Sequence, residues 1–257
     1  MSDTPEYFKE LLNAGHLRLV DHMGTDISIS RNARVSYDAE WRAGEDKGSD
    51  KRLLGYLMRN GHNTPFESVV VTFDVKAPIF VFRQWHRHRT QSYNELSARY
   101  RPLPAEWYKP EPWVVGTQSK HNKQMRHVLT EMDWVNTYSE EERVSHIETA
   151  SYIDVTNKRA YEAYQLMLDQ KIPRELARSV LPVGMYSHMF ATMNLHNAFN
   201  FIRERSFNHS QYEIRVYSHA MFEALYLIAP VACEHFIATL GEGYEELQQV
   251  WNTINSR

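Results

Sequence analysis

Five arginines fall between Arg83 and Arg101, in the run RQWHRHRTQSYNELSARYR, against one carboxylate, Glu95. Guanidinium groups stay charged and present planar forks of donors, so this density suits recognition of an anion such as phosphate. Among them Ser92, Asn94, Glu95 and Ser97 add short hydrogen-bonding groups at nearly every second position, without apolar partners. Arginines near a helix C-terminus also offset its dipole, which accounts for Arg87 and Arg89 but not for the polar continuation. Together these groups match a ligand with a phosphate, a sugar and a base edge. The only G-x-G, Gly241 to Gly243, lacks a third glycine, and no P-loop is present, so side chains must meet any nucleotide phosphate.

The elements that position this run can be read from periodicity. Leu17 and Leu19 alternate with polar neighbours in a strand ending at Gly24, and a short helix covers Ile27 to Val35. Ala39 to Asp50 is a polar loop, with Asp50 capping a helix that carries Leu53, Leu54, Leu57 and Met58 and stops at Gly61. VVVTFDV from Val69 predicts a strand, and Pro78 opens a helix that turns Phe80, Phe82 and Trp85 inward and delivers Arg87 to Arg89 at its end. Residues 102–125 form a loop with one short helix. A long helix spans Glu140 to Lys171, with Ile147, Tyr152, Val155, Tyr161, Tyr164 and Leu166 on its buried side. Pro173 starts another helix, ending before Pro182. Met185, Met189 and Met193 mark the core face of a strand, and helices over His196 to Arg205 and Ser210 to Phe236 close the fold, the last bent or ended by Pro230. The expected class is α+β: one domain over residues 1–257, with a small antiparallel or mixed β-sheet flanked by long helices.

Composition narrows the function. The chain has 257 residues and a formal net charge of -3, so it is not a general polyanion binder, and any basic patch is local. Its single cysteine, Cys233, excludes an intramolecular disulfide, a multi-cysteine zinc site and a CxxC pair, and fits a reducing cytoplasm. No stretch approaches the roughly 18 apolar residues of a membrane span, and the N-terminus lacks an apolar signal region.

Arg87 to Arg99 fits RHRxxSxNExSxR at every fixed position, and this resembles the extended signature of the flavin-dependent thymidylate synthases, the ThyX family. The likeness includes HNTPFE at His62 to Glu67, KAPIFVFRQW before the signature, PRELARSVLP at Pro173 to Pro182, and NLHNAFNFIRER at Asn194 to Arg205, followed by Gln211. It is strongest over residues 16–240, while the 39–50 loop and the 102–150 stretch look longer than in compact members. The resemblance implies reductive methylation of dUMP to dTMP, with methylenetetrahydrofolate as carbon donor, FAD as hydride carrier and NADPH as reductant, giving tetrahydrofolate. It implies FAD contacts from Thr64, Glu67, Arg87, His88, Arg89, Asn194, His196 and Asn200, with Ser36 contributed by a neighbouring subunit. The implied dUMP set is Gln84, Arg87, Glu95, Ser97, Arg99, Arg178 and Arg205, with Glu95 touching the flavin side as well. Arg205 would activate the pyrimidine, and His62 would sit near flavin and folate. A homotetramer with shared active sites is also implied, with no nucleic-acid or membrane partner and no metal.

The residues support this reading independently. Cys233 lies in LYLIAPVACEHF, an apolar run where a thiol packs as a small hydrophobe, so a cysteine nucleophile is disfavoured. Taken singly, His62, His196, His209, Glu67, Arg178 and Arg205 read as ordinary surface or core groups, and only the agreement of separated motifs singles them out. Two other chemistries compete. Arginines interleaved with Trp85, Tyr93 and Tyr100 could stack RNA bases, but the chain is acidic and has no RNP or KH pattern. A metallohydrolase would need His86 and His88 on one metal; two positions apart on a helix they diverge by about 200°, and no HExxH exists.

Overall fold

The computed structural model describes residues 4–256 apart from residue 121; the first three residues of the N-terminal reading lie outside the described residues. In chain order, strands β1 (Phe8–Leu11) and β2 (Gly15–Met23) precede helices α1 (Asp26–Arg34) and α2 (Lys47–Arg59). Next come β3 (Val70–Pro78), α3 (Ile79–Trp85), β4 (Ser92–Glu95), α4 (Pro112–Val115) and a two-rung hairpin of β5 (Thr117–Gln118) and β6 (Arg126–His127). After α5 (Glu131–Thr137), α6 (Glu140–Asp169) and α7 (Arg174–Ala177) the chain enters β7 (Tyr186–Asn194). Helices α8 (Leu195–Ser206), α9 (Tyr212–Tyr226), α10 (Pro230–Ile237) and α11 (Glu245–Asn255) follow.

The main sheet is antiparallel, in the order β1-β2-β3-β7-β4. Side chains alternate across a strand, so Leu17, Leu19, Val71, Phe73, Val75, Met189, Ala191 and Met193 all turn to one face and are buried there. Helices α8 and α9 belong to the same core through Phe201, Ile202, Tyr217 and Phe222. The Tyr217 hydroxyl donates to the Lys76 carbonyl at 2.6 Å, and a Cβ at Gly15 would lie 2.0 Å from that hydroxyl, so position 15 needs glycine. Cys233 is fully buried in α10, as its apolar surroundings predict.

Several expectations need correction. Asp46, not Asp50, caps α2 by accepting from the Ser49 amide at 3.1 Å, whereas the Asp50 carboxylate is held by Arg34 and the Gly44 amide. α3 ends at Trp85, so Arg87 to Arg89 lie in the turn beyond it. Of the residues assigned to the buried side of α6, only Tyr164 is buried; Ile147, Tyr152, Val155 and Leu166 are exposed. At about 100° per residue, His146, Asn157 and Tyr164, the buried residues of α6, form one line, while the exposed Val144, Ile147, Val155 and Leu166 lie away from it, interspersed with Glu148, Lys158 and Glu162. A helix whose apolar residues are spread around its circumference gives no single periodic signal. The predicted final helix is two, α9 and α10, because Pro230 starts the second, and α11 follows them. β1, β4 and α5 were not foreseen.

Candidate active site

The signature begins where α3 stops. Trp85 is buried against Phe201, ring centroids 4.5 Å apart, and its indole N–H donates to the Gln91 side chain at 3.0 Å. The Tyr93 hydroxyl donates to the His88 carbonyl at 2.6 Å. These bonds fold the chain back from α3 into β4, and the turn between them leaves Arg87 and Arg89 exposed. Neither guanidinium takes part in an ion pair among the described residues.

Arg205, near the end of α8, reaches into this turn. Its Nε donates to His88 Nε2 at 2.9 Å and one terminal nitrogen donates to the Gln84 carbonyl at 3.3 Å. With Nε2 accepting, the His88 proton resides on Nδ1. Burial first, and then the neighbouring Arg205 charge, push the His88 pKa down to about 4, so the ring is neutral at physiological pH. Burial and the nearby Arg87 lower the pKa of Arg205, against the opposing pull of Glu204. The Gln84 side chain is held in turn by Gln211.

Glu95 ends the edge strand β4, where Ser187 of β7 donates to its Oε1 at 2.7 Å and His86 Nε2 lies 3.9 Å from its Oε2. Arg83, Glu95, Arg178, Ser179 and Ser187 line a cleft of about 440 Å³. Ser97 and Arg99 lie in the turn after β4, with Arg99 3.9 Å from Glu175 across the surface. A second cleft, about 750 Å³, is lined by Ser36, Tyr37, Tyr56, His62 and Thr64, with His62 edge-on to Tyr56 at 5.8 Å. Thr64 and Glu67 sit on a 3-10 turn, Thr64–Ser68, that packs on α8. Asn194 caps α8 by accepting from the Asn197 amide, and Asn200 bonds His196 Nε2 at 3.1 Å.

The expected residues therefore fall into three groups: Gln84, His88 and Arg205 in mutual contact, Glu95 and Arg178 around one cleft, and Ser36, His62 and Thr64 around another. Ser187 was not foreseen; its only sequence signal is a lone hydroxyl in step with Met185, Met189 and Met193 on the core face of β7, where it is buried. The largest cleft, about 950 Å³, is lined by Tyr7, Glu223, Tyr226 and residues of α11 and contains none of the signature arginines. Size does not locate the chemistry here. The helical-angle argument against a metal on His86 and His88 lapses because both follow α3, but His88 Nε2 is already bonded to Arg205.

This arrangement, in which a neutral histidine and an arginine fork close a cationic turn on a sheet edge, is that of an enzyme handling a phosphorylated nucleotide. Comparison with known proteins agrees. The profile of the thymidylate synthase complementing protein family matches residues 18–231. The flavin-dependent thymidylate synthase of Treponema denticola is 40% identical over 95% of this chain and 89% of its own. That of Thermotoga neapolitana is 40% identical over 88% of this chain and 93% of its own. A solved structure of the UMP/dUMP methylase PolB from Streptomyces cacaoi, bound with 5-Br dUMP, is 34% identical, with a TM-score of 0.75, over 90% of this chain and 97% of its own. The chain belongs to the flavin-dependent thymidylate synthase family.

Proposed function

We propose that this enzyme converts dUMP, methylenetetrahydrofolate, NADPH and a proton to dTMP, tetrahydrofolate and NADP+, with FAD as the hydride carrier. The observation that carries this reading is the Arg205 fork bonded to neutral His88 and to the Gln84 carbonyl, at the mouth of a turn whose Arg87 and Arg89 form no ion pair among the described residues. The donor set fits FAD: Arg87 and Arg89 are exposed cations suited to a diphosphate, and the Nδ1–H of His88 is a donor beside them. Bound there, FAD supplies the hydride that reduces the transferred one-carbon unit.

The protein's own work is orientation and charge stabilisation. Arg205 balances the negative charge that grows on the pyrimidine as N3 loses its proton and C5 becomes nucleophilic. Ser97, Arg99 and Arg178 hold the phosphate and sugar end, Gln84 and Glu95 the base edge, and Ser187 keeps the Glu95 carboxylate turned into the cleft. Thr64, Glu67, Asn194, His196 and Asn200 complete the flavin site, with His62 on the folate side and Ser36 serving a neighbouring subunit. No thiol takes part: burial drives the Cys233 pKa well up, which keeps it protonated and unreactive. Exposed Val144, Ile147, Val155 and Leu166 on α6, set among charged residues, support a homotetramer in which this helix packs on a second copy.

The absorbance spectrum of the purified protein tests the cofactor, and tritium release from C5-labelled dUMP tests the reaction. Flavin bands together with folate-dependent release support the reading; a protein that takes up no added FAD refutes it. Arg89→Ala and His88→Ala are expected to lose FAD on dialysis, and normal flavin occupancy in both removes those two contacts.

A further inference from the structure

The helices of the core cover one face of the main sheet. On the other face β2, β3 and β7 bring His16, Asp74 and His188 together, and none of the three lines the clefts described above. The register explains the meeting. His16 and His188 both stand opposite Lys76, on either side of β3, and Asp74 lies two residues before Lys76 on the same face. One donor atom from each residue falls within 4.8 Å of the other two. His16 Nε2 is 3.1 Å from Asp74 Oδ1, and His188 Nε2 contacts the same oxygen.

We propose that His16, Asp74 and His188 form a binding site for a divalent transition ion of the zinc class. Zinc sits about 2.0–2.2 Å from nitrogen and oxygen ligands in tetrahedral sites, which places ligand atoms about 3.4 Å apart. His16 Nε2 and Asp74 Oδ1 are 3.1 Å apart, and His188 Nε2, hydrogen-bonded to the same oxygen, need only move outward to take its place. Two imidazoles and one carboxylate favour such an ion over magnesium or calcium, which take oxygen ligands. Arg18 donates to Asp74 Oδ2 through Nε at 3.1 Å and through a terminal nitrogen at 2.7 Å. That fork fixes the carboxylate and leaves Oδ1 as its single ligand atom, the outer support that metal ligands ordinarily have.

The local charge is compatible with a cation. Lys76, opposite both histidines, has its ammonium paired with Glu106 at 2.7 Å, and among the described residues Arg18 is the one Lys or Arg side chain bonded to the cluster. Asp74 is nearly buried, its pKa held down by hydrogen bonds from His16, His188 and Arg18 that outweigh its desolvation. The His188 side chain is 44% exposed, which gives the ion access from solvent and leaves the fourth position to water. On binding, the ion takes the place of the two hydrogen bonds to Asp74 Oδ1, each imidazole offering Nε2 to the metal and keeping its proton on Nδ1.

The experiment is a calorimetric titration of the FAD-loaded protein with Zn2+, repeated with Co2+ while its visible ligand-field bands are recorded. Wild type is expected to bind one tight equivalent and to give a tetrahedral cobalt spectrum. His16→Ala and His188→Ala, substitutions of half-buried side chains, should weaken that equivalent at least about tenfold and lose the spectrum while tritium release without metal is unchanged. His127→Ala, at an exposed histidine elsewhere, should keep it. Absence of a tight equivalent in wild type, or equal affinity in both cluster variants, overturns the proposal; thermal melts of the metal-free variants confirm that each is folded.

Discussion

Arg205 contacts His88 and the backbone at Gln84, so replacing it separates two contributions that most binding residues mix. A guanidinium that meets charge arising only in the transition state lowers the barrier without tightening ground-state binding. Arg205→Lys keeps the charge but not the planar fork. Both Arg205→Lys and Arg205→Ala are expected to retain FAD and oxidise NADPH, while saturated tritium release falls by roughly two orders of magnitude, the usual scale for one lost charge-stabilising donor. Arg178→Ala should instead raise the dUMP dissociation constant with a smaller effect at saturation. If Arg205→Ala changes only the dissociation constant, Arg205 positions substrate and does not activate it.

Two histidine rings whose pKa burial depresses give a second expectation. His88 is held neutral with its pKa down to about 4, and burial takes His219 to about 3. An unfolded histidine titrates near 6.5, so below that pH the unfolded chain binds protons that the folded chain refuses. The contribution of neutral burial is complete above about pH 6.5 and is lost as pH falls toward 4 for His88 and 3 for His219. Stability should decline by up to about 1.4 kcal/mol per pH unit for each ring across that window. Urea melts of wild type and His219→Gln between pH 7 and 4.5 check this; equal slopes for the two proteins contradict it.

Among the secondary-structure elements, those with one strong apolar face were legible and those governed by a distant partner were not. β2, β3, α2 and β7 followed their patterns because each has one side against the core. Asp50 looked like the α2 cap because nothing local reveals that Arg34, sixteen positions upstream, takes its carboxylate. Asp46→Ala should therefore cost about 1 kcal/mol, the ordinary value of a lost cap. Asp50→Ala should cost more, since it strands Arg34 with side-chain exposure of only 13%. Chemical denaturation of the two variants orders them. β4 escaped notice because Ser-Tyr-Asn-Glu has no apolar alternation; only Tyr93 packs on the core, and the strand is fixed by its pairing with β7. The signature run and its separated companion motifs were legible through spacing, while Ser187 beside Glu95 and the Arg205 bond to His88 depend on how β7 and α8 approach the turn, which spacing does not encode.

For the whole molecule, α6 decides how the chain meets its surroundings. It runs for 30 residues, about 45 Å, and holds its own chain along His146, Asn157 and Tyr164 while Val144, Ile147, Val155 and Leu166 face outward. Under the proposed homotetramer, a charge placed at one of these exposed apolar positions should disturb assembly more than folding. Ile147→Glu and Leu166→Glu are expected to lower the sedimentation coefficient from that of a tetramer while far-ultraviolet circular dichroism is kept. A wild-type protein that sediments as a monomer refutes the assembly, and an unchanged coefficient in both variants places the interface elsewhere.

The burial of Cys233 has a consequence for oxidative damage. With the lone thiol fully enclosed and protonated, alkylating agents and peroxide find no thiolate on the folded chain. The exposed sulfur among the described residues belongs instead to the thioethers of Met23 and Met132, 62% and 75% exposed, neither of which lines a cleft that holds a signature residue. Peroxide stress should thus be recorded as sulfoxide at these two surface methionines, visible by peptide mass and reversible by methionine sulfoxide reductases, while the enzyme keeps turning over.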